Sequence, residues 1–374
     1  MRRLLILFIG LLLIGSCIDR IEIKIPDSYT SQLVVDGLIT DEPGPYTVRL
    51  TKATRIEKFL EFSQEEVVQA SVSISDNVGN TEQLKETIPG VYETKLGGIQ
   101  GVIGREYSIK IETSDGKVYE SIPDKMNPVG ELDSLYYEFE SYTPLNDQTR
   151  FGFRFYIDAR GAQSSDNFLR WKFTGVFQIE ADPKLHTTSR PMPCTPDPRP
   201  CSGWIIGPFD GRLQKVGDCT CCTCWVTRYE DKPNVSDNQF VSNQKIRRVE
   251  VGYVPLEYFP FLAGKYRVEV KQMSLTRRAY EYWRIIQSQK EGAASLFQPP
   301  TGRIETNILS KDGAEQVQGL FSASAVKTRQ RYLSNGDVNV LLRVPFWDCE
   351  VGEIAESCLL AFKNSSNKPP ADWN

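Results

Sequence analysis

Cysteine is the residue type whose number and spacing in this chain most clearly indicate chemistry. The chain has nine cysteines, and residues 194–224 hold six of them: Cys194, Cys201, Cys219, Cys221, Cys222 and Cys224. Thiolates at such a density either bind a tetrahedral zinc ion or form disulfides. The order CxCCxC over residues 219–224 differs from the paired CxxC pattern of structural zinc sites, so we predict disulfides and no metal.

The pairing of these cysteines is not deducible from their spacing, because six cysteines allow many different connectivities. We expect Cys221 and Cys222 to have separate partners, since a bond between adjacent cysteines strains the peptide that joins them. Cys349 and Cys358 lie far along the chain from the cluster. We predict that these two form a separate bridge near the C-terminus.

Histidine chemistry is nearly absent from the sequence. His186 is the one histidine of the chain, so a nucleophilic triad has a single candidate base, and no HExxH zinc motif exists. Neither a phosphate-binding loop nor a dinucleotide fingerprint is present. Carboxylate pairs can catalyse glycoside hydrolysis from distant positions, but the 48 acidic residues single out no pair. We predict that the protein is not an enzyme and has no cofactor.

The N-terminus has the pattern of a secretory signal. Arg2 and Arg3 precede an apolar stretch at residues 4–14, which is shorter than the roughly 20 residues of a membrane-spanning helix. Ile14-Gly15-Ser16-Cys17 resembles the lipobox of bacterial lipoproteins. We therefore predict that residues 1–16 are removed and that Cys17 carries lipid. The alternative is an ordinary secreted protein in which this cysteine is incidental.

The elements that must position these residues are mainly strands. Short alternating apolar and polar runs, separated by Gly-, Pro- and Asn-containing turns, predict an Ig-like antiparallel β-sandwich over residues 32–122, after a tether at 17–31. Residues around 123–133 are expected to be a linker. A larger β-rich domain is predicted over 134–363, with a Cys-rich irregular insertion at 181–224, followed by a polar tail at 364–374.

One helix is predicted at about residues 275–290, packed on the second domain. Ser274 or Thr276 can cap its N-terminus. Its apolar side chains repeat at helical spacing: Leu275, Ala279, Tyr282, Trp283 and Ile286. The formal net charge of −4 and the lack of a long basic run exclude nucleic acid as an expected partner.

Several short stretches, in this order, resemble a family catalogued as domain of unknown function 4249, found in Bacteroidota. They include Cys17-Ile18-Asp19, Leu33-Val34-Val35-Asp36-Gly37, Gly90-Val91-Tyr92, Asp115-Gly116-Lys117-Val118-Tyr119 and Gly319-Leu320-Phe321-Ser322-Ala323-Ser324. The resemblance implies an outer-membrane lipoprotein encoded beside a SusC-like TonB-dependent transporter. Asp19 and Glu22, close to Cys17, resemble the acidic export signals of surface lipoproteins, so exposure at the cell surface is a further expectation. It implies no catalytic residue. The dense cysteine cluster departs from the family pattern.

The sequence therefore supports two alternative hypotheses for the function. In the first, the protein is a lipid-anchored accessory or ligand-capture subunit of a TonB-dependent transporter. In the second, it is a surface adhesin or cell-envelope scaffold without a transporter. The ligand is unknown in both.

Two further sites follow from position in the sequence. A loop braced by disulfides and carrying Trp204 and Trp225 is the candidate partner-binding surface. Asp133-Ser134-Leu135 resembles the short O-glycosylation motif of this bacterial group and falls in the proposed linker, where we expect an accessible backbone. Ser134 is therefore a candidate glycosylation site. An unmodified exposed serine is the alternative.

Overall fold

The computed structural model of the chain describes residues 32–53, 65–143, 149–162, 167–188, 195–237, 245–256, 265–292, 304–313, 315–338, 340, 346–347, 350–351, 354–371 and 373. The predicted signal peptide, the tether with Cys17, and the cysteines Cys194 and Cys349 lie outside the described residues.

Strands dominate the described residues, as the alternating sequence pattern predicts. In the first part of the chain they are β1 Gln32–Thr40, β2 Thr47–Ala53, β3 Glu65–Glu66, β4 Ser71–Asp76, β5 Thr81–Gln83, β6 Lys85–Ile88, β7 Val91–Glu93, β8 Glu106–Glu112, β9 Val118–Ser121, β10 Asp124–Lys125, β11 Glu131–Tyr142, β12 Arg150–Arg160 and β13 Phe168–Glu180. In the second part they are β14 Thr187–Thr188, β15 Thr195–Pro196, β16 Trp204–Ile206, β17 Leu213–Lys215, β18 Thr223–Tyr229, β19 Asn234–Asp237, β20 Lys245–Pro255, β21 Tyr266–Leu275, β22 Ile308–Ser310, β23 Gln318–Ser324, β24 Val326–Leu333, β25 Phe346–Trp347, β26 Glu350–Val351 and β27 Ser365–Ser366. The helices are α1 Arg277–Gly292 and α2 Cys358–Ala361, with 3₁₀ turns at Pro183–Leu185, Pro200–Ser202 and Asn335–Asp337.

The first two sheets form a sandwich. The first sheet has the order β23-β1-β2-β7-β6, with β3 on β2, and the second has the order β22-β9-β8-β4-β5, with β10 on β8. Alternate residues of β1, such as Val35 and Ile39, point into the same buried cluster as Val72 and Ile74 of β4. Period-two burial on facing sheets is what the alternating sequence requires.

The predicted boundary of this first domain is wrong in one respect. The sandwich is not completed by residues 32–122, because β22 pairs with β9 and β23 runs parallel to β1. We predicted the sandwich from strands that follow one another along the chain. A parallel partner that returns from residues 318–324 leaves no turn signal beside β1, so only the assembled sheet reveals it.

The third and fourth sheets form the second sandwich. The third has the order β11-β12-β20, and the fourth has the order β24-β21-β13-β18-β27, with β19 on β13. Phe155 of β12 meets Phe173 of β13 edge to face, with 5.6 Å between ring centroids. Trp171 is fully buried, and its indole Nε1 donates a hydrogen bond of 2.8 Å to Gln272. Aromatic packing and a satisfied indole thus stabilise this core.

The predicted helix is confirmed, and it begins directly after β21. Thr276, rather than Ser274, caps it: the Ala279 amide donates to Thr276 Oγ1 at 3.3 Å. Ala279 is fully buried with Phe168 and Leu320, so the apolar stripe packs where the two sandwiches meet. None of the described helices is long and apolar enough to cross a membrane.

The segment predicted as a linker is instead a buried polar junction. Asp124 accepts hydrogen bonds from the hydroxyl of Thr276 at 2.6 Å and from the amide of Ala323 at 2.9 Å. Asn127 accepts one through its carbonyl oxygen from the Ser274 hydroxyl at 2.6 Å. These bonds join the segment to the start of α1 and to the return strand β23. Because buried polar groups must find partners, this composition fits an anchored segment better than a free linker.

Two disulfides brace the insertion, and a third joins strand β18 to helix α2. The sulfurs of Cys201 and Cys221, of Cys219 and Cys222, and of Cys224 and Cys358 lie at bonding distance. Adjacent Cys221 and Cys222 therefore have separate partners, as expected. The predicted bridge between Cys349 and Cys358 is wrong, since Cys358 bonds Cys224 instead. The short helix α2 packs beside β18, which places the two Cα atoms 6.0 Å apart.

The insertion and the tail contain more structure than the sequence predicted. Two small hairpins, β14–β15 and β16–β17, interrupt the irregular insertion. The tail predicted at 364–374 begins with β27, which adds to the edge of β18. Its backbone continues the fourth sheet, because an edge strand presents unpaired amides and carbonyls to any adjacent segment.

Gly319 provides a test of the return strand. It lies opposite Val35 in the parallel pair, with φ at +97°, and a Cβ there would lie 1.8 Å from the Val35 carbonyl oxygen. We expect Gly319→Ala to lower the free energy of unfolding by about 3–5 kcal/mol, because the new methyl group cannot fit without separating the strands. Urea-induced unfolding measures the change.

Gly79→Ala is the matched control for backbone strain alone. Gly79 has φ at +96°, but nothing lies within 4 Å of the added Cβ. Its cost should be about 1–2 kcal/mol, the penalty of a left-handed conformation. Equal losses in the two variants would contradict the pairing of β23 with β1.

The disulfides differ sharply in the chain length that they close. Cys224 and Cys358 are 134 residues apart, whereas Cys219 and Cys222 are 3 apart. Loop-closure entropy then gives about 5 kcal/mol for the long bridge and about 1.6 kcal/mol for the short one. We expect the double variant Cys224→Ala/Cys358→Ala to be much less stable in unreduced urea titrations than Cys219→Ala/Cys222→Ala. The reverse order would refute this connectivity.

Candidate functional site

A cleft of about 690 Å³ lies between the first and fourth sheets. One wall is the outward face of β1, β2 and β23, and the other is a face of β13 and β21. We call it the Lys172 cleft, and its charged lining consists of Asp36, Glu42, Arg49, Arg170, Lys172, Glu269 and Lys271. Strand alternation creates both walls, because the intervening residues of each strand point into a core.

The cations of the cleft sit at neighbouring register positions. Lys172 of β13 lies opposite Lys271 of β21, and Arg170 follows two residues away on the same face. On the facing wall, Asp36 lies opposite Arg49. Like charges on directly paired residues repel one another unless counterions intervene.

Counterions are present for two of these cations. Lys271 forms an ion pair with Glu42 at 2.6 Å. Arg170 pairs with Glu230, and its guanidinium carbon lies 3.7 Å from the centroid of the Trp283 ring. The Arg170 head is thus held in place by a carboxylate on one side and an aromatic face on the other.

Lys172 differs from both. It is half-buried, and it forms no ion pair and no hydrogen bond with any residue in the described ranges. Burial, followed by the charge of Arg170, lowers the pKa of Lys172. Nearby, burial and the charge of Asp36 raise the pKa of Tyr282 to about 12, so that phenol stays neutral.

The two ends of the cleft are formed by different elements. Trp283 of α1 lies at one end with Leu275 and Leu320. At the other end the loop after β1 is fastened to the fourth sheet: Val326 donates its amide to Asp41 at 2.7 Å, and Glu42 accepts from Thr328 at 3.0 Å. The walls are therefore connected at several points.

The cleft contains groups that can bind a ligand. Its cations and hydroxyl groups can hold an anionic or polar molecule. Within the described ranges, no group of three or more His, Cys, Asp or Glu residues is arranged to hold a metal ion. His186 lies elsewhere, mostly buried, with its Nδ1 2.9 Å from the Asp197 carbonyl oxygen.

A second feature is the hairpin β16–β17, which projects from the disulfide-braced insertion. Phe209 at its tip is completely exposed, and Ile205 and Val216 are also exposed. Cys201 and Cys221 close the base of the hairpin, where the Thr220 amide donates to the Cys201 carbonyl at 2.9 Å. The insertion thus displays apolar side chains on a cross-linked support.

The two tryptophans predicted to bind a partner occupy different elements. Trp204 starts β16 and is half-buried, with the Lys184 ammonium 5.8 Å from its ring centroid. Trp225 lies outside the hairpin, in β18 between β13 and β27. Sequence reasoning missed Phe209, although apolar residues in a loop flanked by cysteines were a usable signal.

The candidate glycosylation site is also placed differently from the prediction. Ser134 belongs to β11, where its hydroxyl donates to Asp158 of β12 at 3.2 Å. A pairing irregularity between Leu132 and Ser134 interrupts the ladder there. Glycosylation of this serine stays a prediction. The candidate disulfide residues Cys194 and Cys349 and the lipidation site Cys17 fall outside the described residues.

Comparison with known proteins places the chain in a family. No curated protein matches the chain. The family model described as "Domain of unknown function (DUF4249)" matches residues 18–330, which is most of the chain. The resemblance seen in the sequence is therefore confirmed at the level of the family, and the chain belongs to the DUF4249 family.

Proposed function

We propose that this protein is a lipid-anchored accessory subunit of an outer-membrane transporter of the SusC-like, TonB-dependent class, and that it captures ligand for that transporter. The lipobox at Cys17 supports the anchor, and the resemblance to outer-membrane lipoproteins supports the location. The two structural features described above match the two tasks: a cleft for a ligand and a braced hairpin for a partner.

The exposed phenylalanine is the observation that carries the partner function. Phe209 is completely exposed at the tip of the hairpin, whereas large apolar side chains at partner interfaces become buried in complexes. Burying such a side chain stabilises a complex by roughly 2–3 kcal/mol. Because disulfides brace the hairpin, little further conformational entropy is lost on docking.

The proposed tether is long enough to let this surface reach a neighbour in the membrane. Residues 18–31 separate the proposed lipid anchor from β1. An extended chain of that length spans on the order of 45 Å. The anchored protein could thus pivot over the outer face of a transporter without detaching.

A pull-down in the native bacterium tests the proposal. We expect the full chain, tagged at its C-terminus and extracted in mild detergent, to co-purify with a TonB-dependent receptor identified by mass spectrometry. Phe209→Asp should reduce the recovered receptor by about tenfold or more, because a carboxylate would have to be desolvated at the interface. Cys17→Ala should shift the chain from the membrane fraction to the soluble fraction.

Leu96→Asp is the matched control, since Leu96 is 82% exposed on the first sandwich, away from the hairpin. It should leave receptor recovery unchanged. Equal recovery with Phe209→Asp would exclude the hairpin as the docking surface. Wild-type protein that stays at the cell surface but recovers no TonB-dependent receptor would contradict the transporter function and favour the adhesin or scaffold.

A further inference from the structure

We propose that the Lys172 cleft binds an organic anion, and that the ammonium group of Lys172 pairs with the carboxylate or phosphate of that ligand. The inference deepens the proposed capture function, on which its biological meaning rests, but the binding itself does not depend on a transporter.

The positively charged side chains on the wall that holds Lys172 differ in their ion pairs. Its neighbours Arg170 and Lys271 are matched by Glu230 and Glu42, respectively. Lys172 lies between them on the same face and forms no ion pair or hydrogen bond within the described part of the chain. Glu230 and Asp36 attract its charge without forming an ion pair, so Lys172 faces the cleft without a direct counterion.

The surroundings of Lys172 disfavour the charged form of its side chain. Lys172 is half-buried between two other cations, and burial lowers its pKa. Burial and the charges of Arg170 and Lys271 disfavour the ammonium form, and the attraction of Glu230 and Asp36 compensates only in part. An anion entering the cleft would favour the ammonium form, since it supplies an opposite charge at ion-pair distance in a region of reduced solvent.

A hydroxyl group without a hydrogen-bond partner lies in the same cleft. Ser324 lines the cleft and is fully buried, yet its Oγ has no hydrogen-bond partner in the structure. Buried hydroxyls normally have partners. A polar ligand atom would provide one, and Thr40 and Thr174 offer further hydroxyls along the walls.

The volume of the cleft suits a small organic molecule. A volume of about 690 Å³ lies within the range of clefts that hold small organic molecules. A single inorganic ion would leave most of that volume unfilled. The hydroxyl groups and Trp283 at one end suit the uncharged part of a larger ligand, whose anionic group would sit at Lys172.

Binding of two anionic probes to the purified, disulfide-intact protein tests the inference. We would titrate inorganic phosphate and citrate separately, at constant ionic strength maintained with sodium chloride, and follow both calorimetric binding and the thermal unfolding midpoint. We expect at least one probe to bind and to raise the midpoint, because a ligand of the folded state stabilises it. A response to phosphate alone identifies a phosphorylated ligand class, and a response to citrate alone identifies a carboxylate class.

Substitutions at Lys172 assign the effect to this residue. Lys172→Met should weaken binding roughly 10- to 100-fold, whereas Lys172→Arg, which keeps the charge, should bind within several-fold of the wild type. Without probe, Lys172→Met should unfold at the same midpoint as the wild type or higher, because an uncompensated half-buried charge is removed. A merely structural lysine would lower that midpoint when replaced.

Lys110→Met is the matched control, an exposed lysine in the middle of β8, and it should bind the probes as the wild type does. The inference is overturned if neither probe binds the wild type, or if Lys172→Met binds them as tightly as the wild type does. Neither result would affect the pull-down, which depends on Phe209, so failure of the anion site and failure of the transporter function are distinguishable.

Discussion

A buried carboxylate, that of Asp124, holds together the elements on which the rest of this structure depends. It accepts hydrogen bonds from Thr276, the residue that caps α1, and from the backbone amide of Ala323 in β23. The Asp124 side chain therefore connects three elements by hydrogen bonds: the start of α1, strand β23 and the segment between the sandwiches. Asp124 thus reinforces the parallel ladder that holds β23 beside β1, and with it one wall of the cleft.

The position of Asp124 has an energetic cost. Burial raises its pKa above the ordinary value, although both hydrogen bonds favour the carboxylate form. Because the pKa is higher in the folded chain than in the unfolded chain, the contribution of this group to stability is greatest at low pH and declines as the pH rises through the folded-state pKa. The hydrogen bonds offset that penalty at neutral pH. A polar junction of this kind specifies one arrangement of the sandwiches, since any shift would leave buried donors unpaired.

The fourth sheet links the cleft to the hairpin. One face of β13 carries Lys172, and the neighbouring strand β18 carries Cys224, paired in register with Ile179 of β13. Directly before β18 the chain carries Cys221, whose disulfide to Cys201 closes the base of the hairpin. The wall of the cleft and the support of the hairpin are thus connected through β18, although the hairpin itself is a separate two-stranded sheet.

Local features of this fold could be predicted from the sequence, and non-local ones could not. Turn residues and alternation predicted the strands, and helical spacing predicted α1 with Thr276 as one of two caps, because these signals act over a few residues. The partner of Cys358 was predicted wrongly, since its choice depends on how α2 packs against β18. The return of β23 to β1 was missed for the same reason. Both pairings are decided by the assembled core rather than by neighbouring residues.

Lys172 shows why a site of this kind cannot be recognised from spacing alone. Trp171 and Phe173 on either side of it are buried, so alternation places the lysine on the opposite face of β13, where a strand normally meets solvent. That face is covered only because the first sheet, completed by β23, packs across it. An ordinary surface lysine thereby becomes a half-buried charge between Arg170 and Lys271, whose own ion pairs are with Glu230 and Glu42. The anion site is thus a product of tertiary packing: the same return strand that closes the first sandwich also turns a solvent-facing residue into a group that needs a ligand.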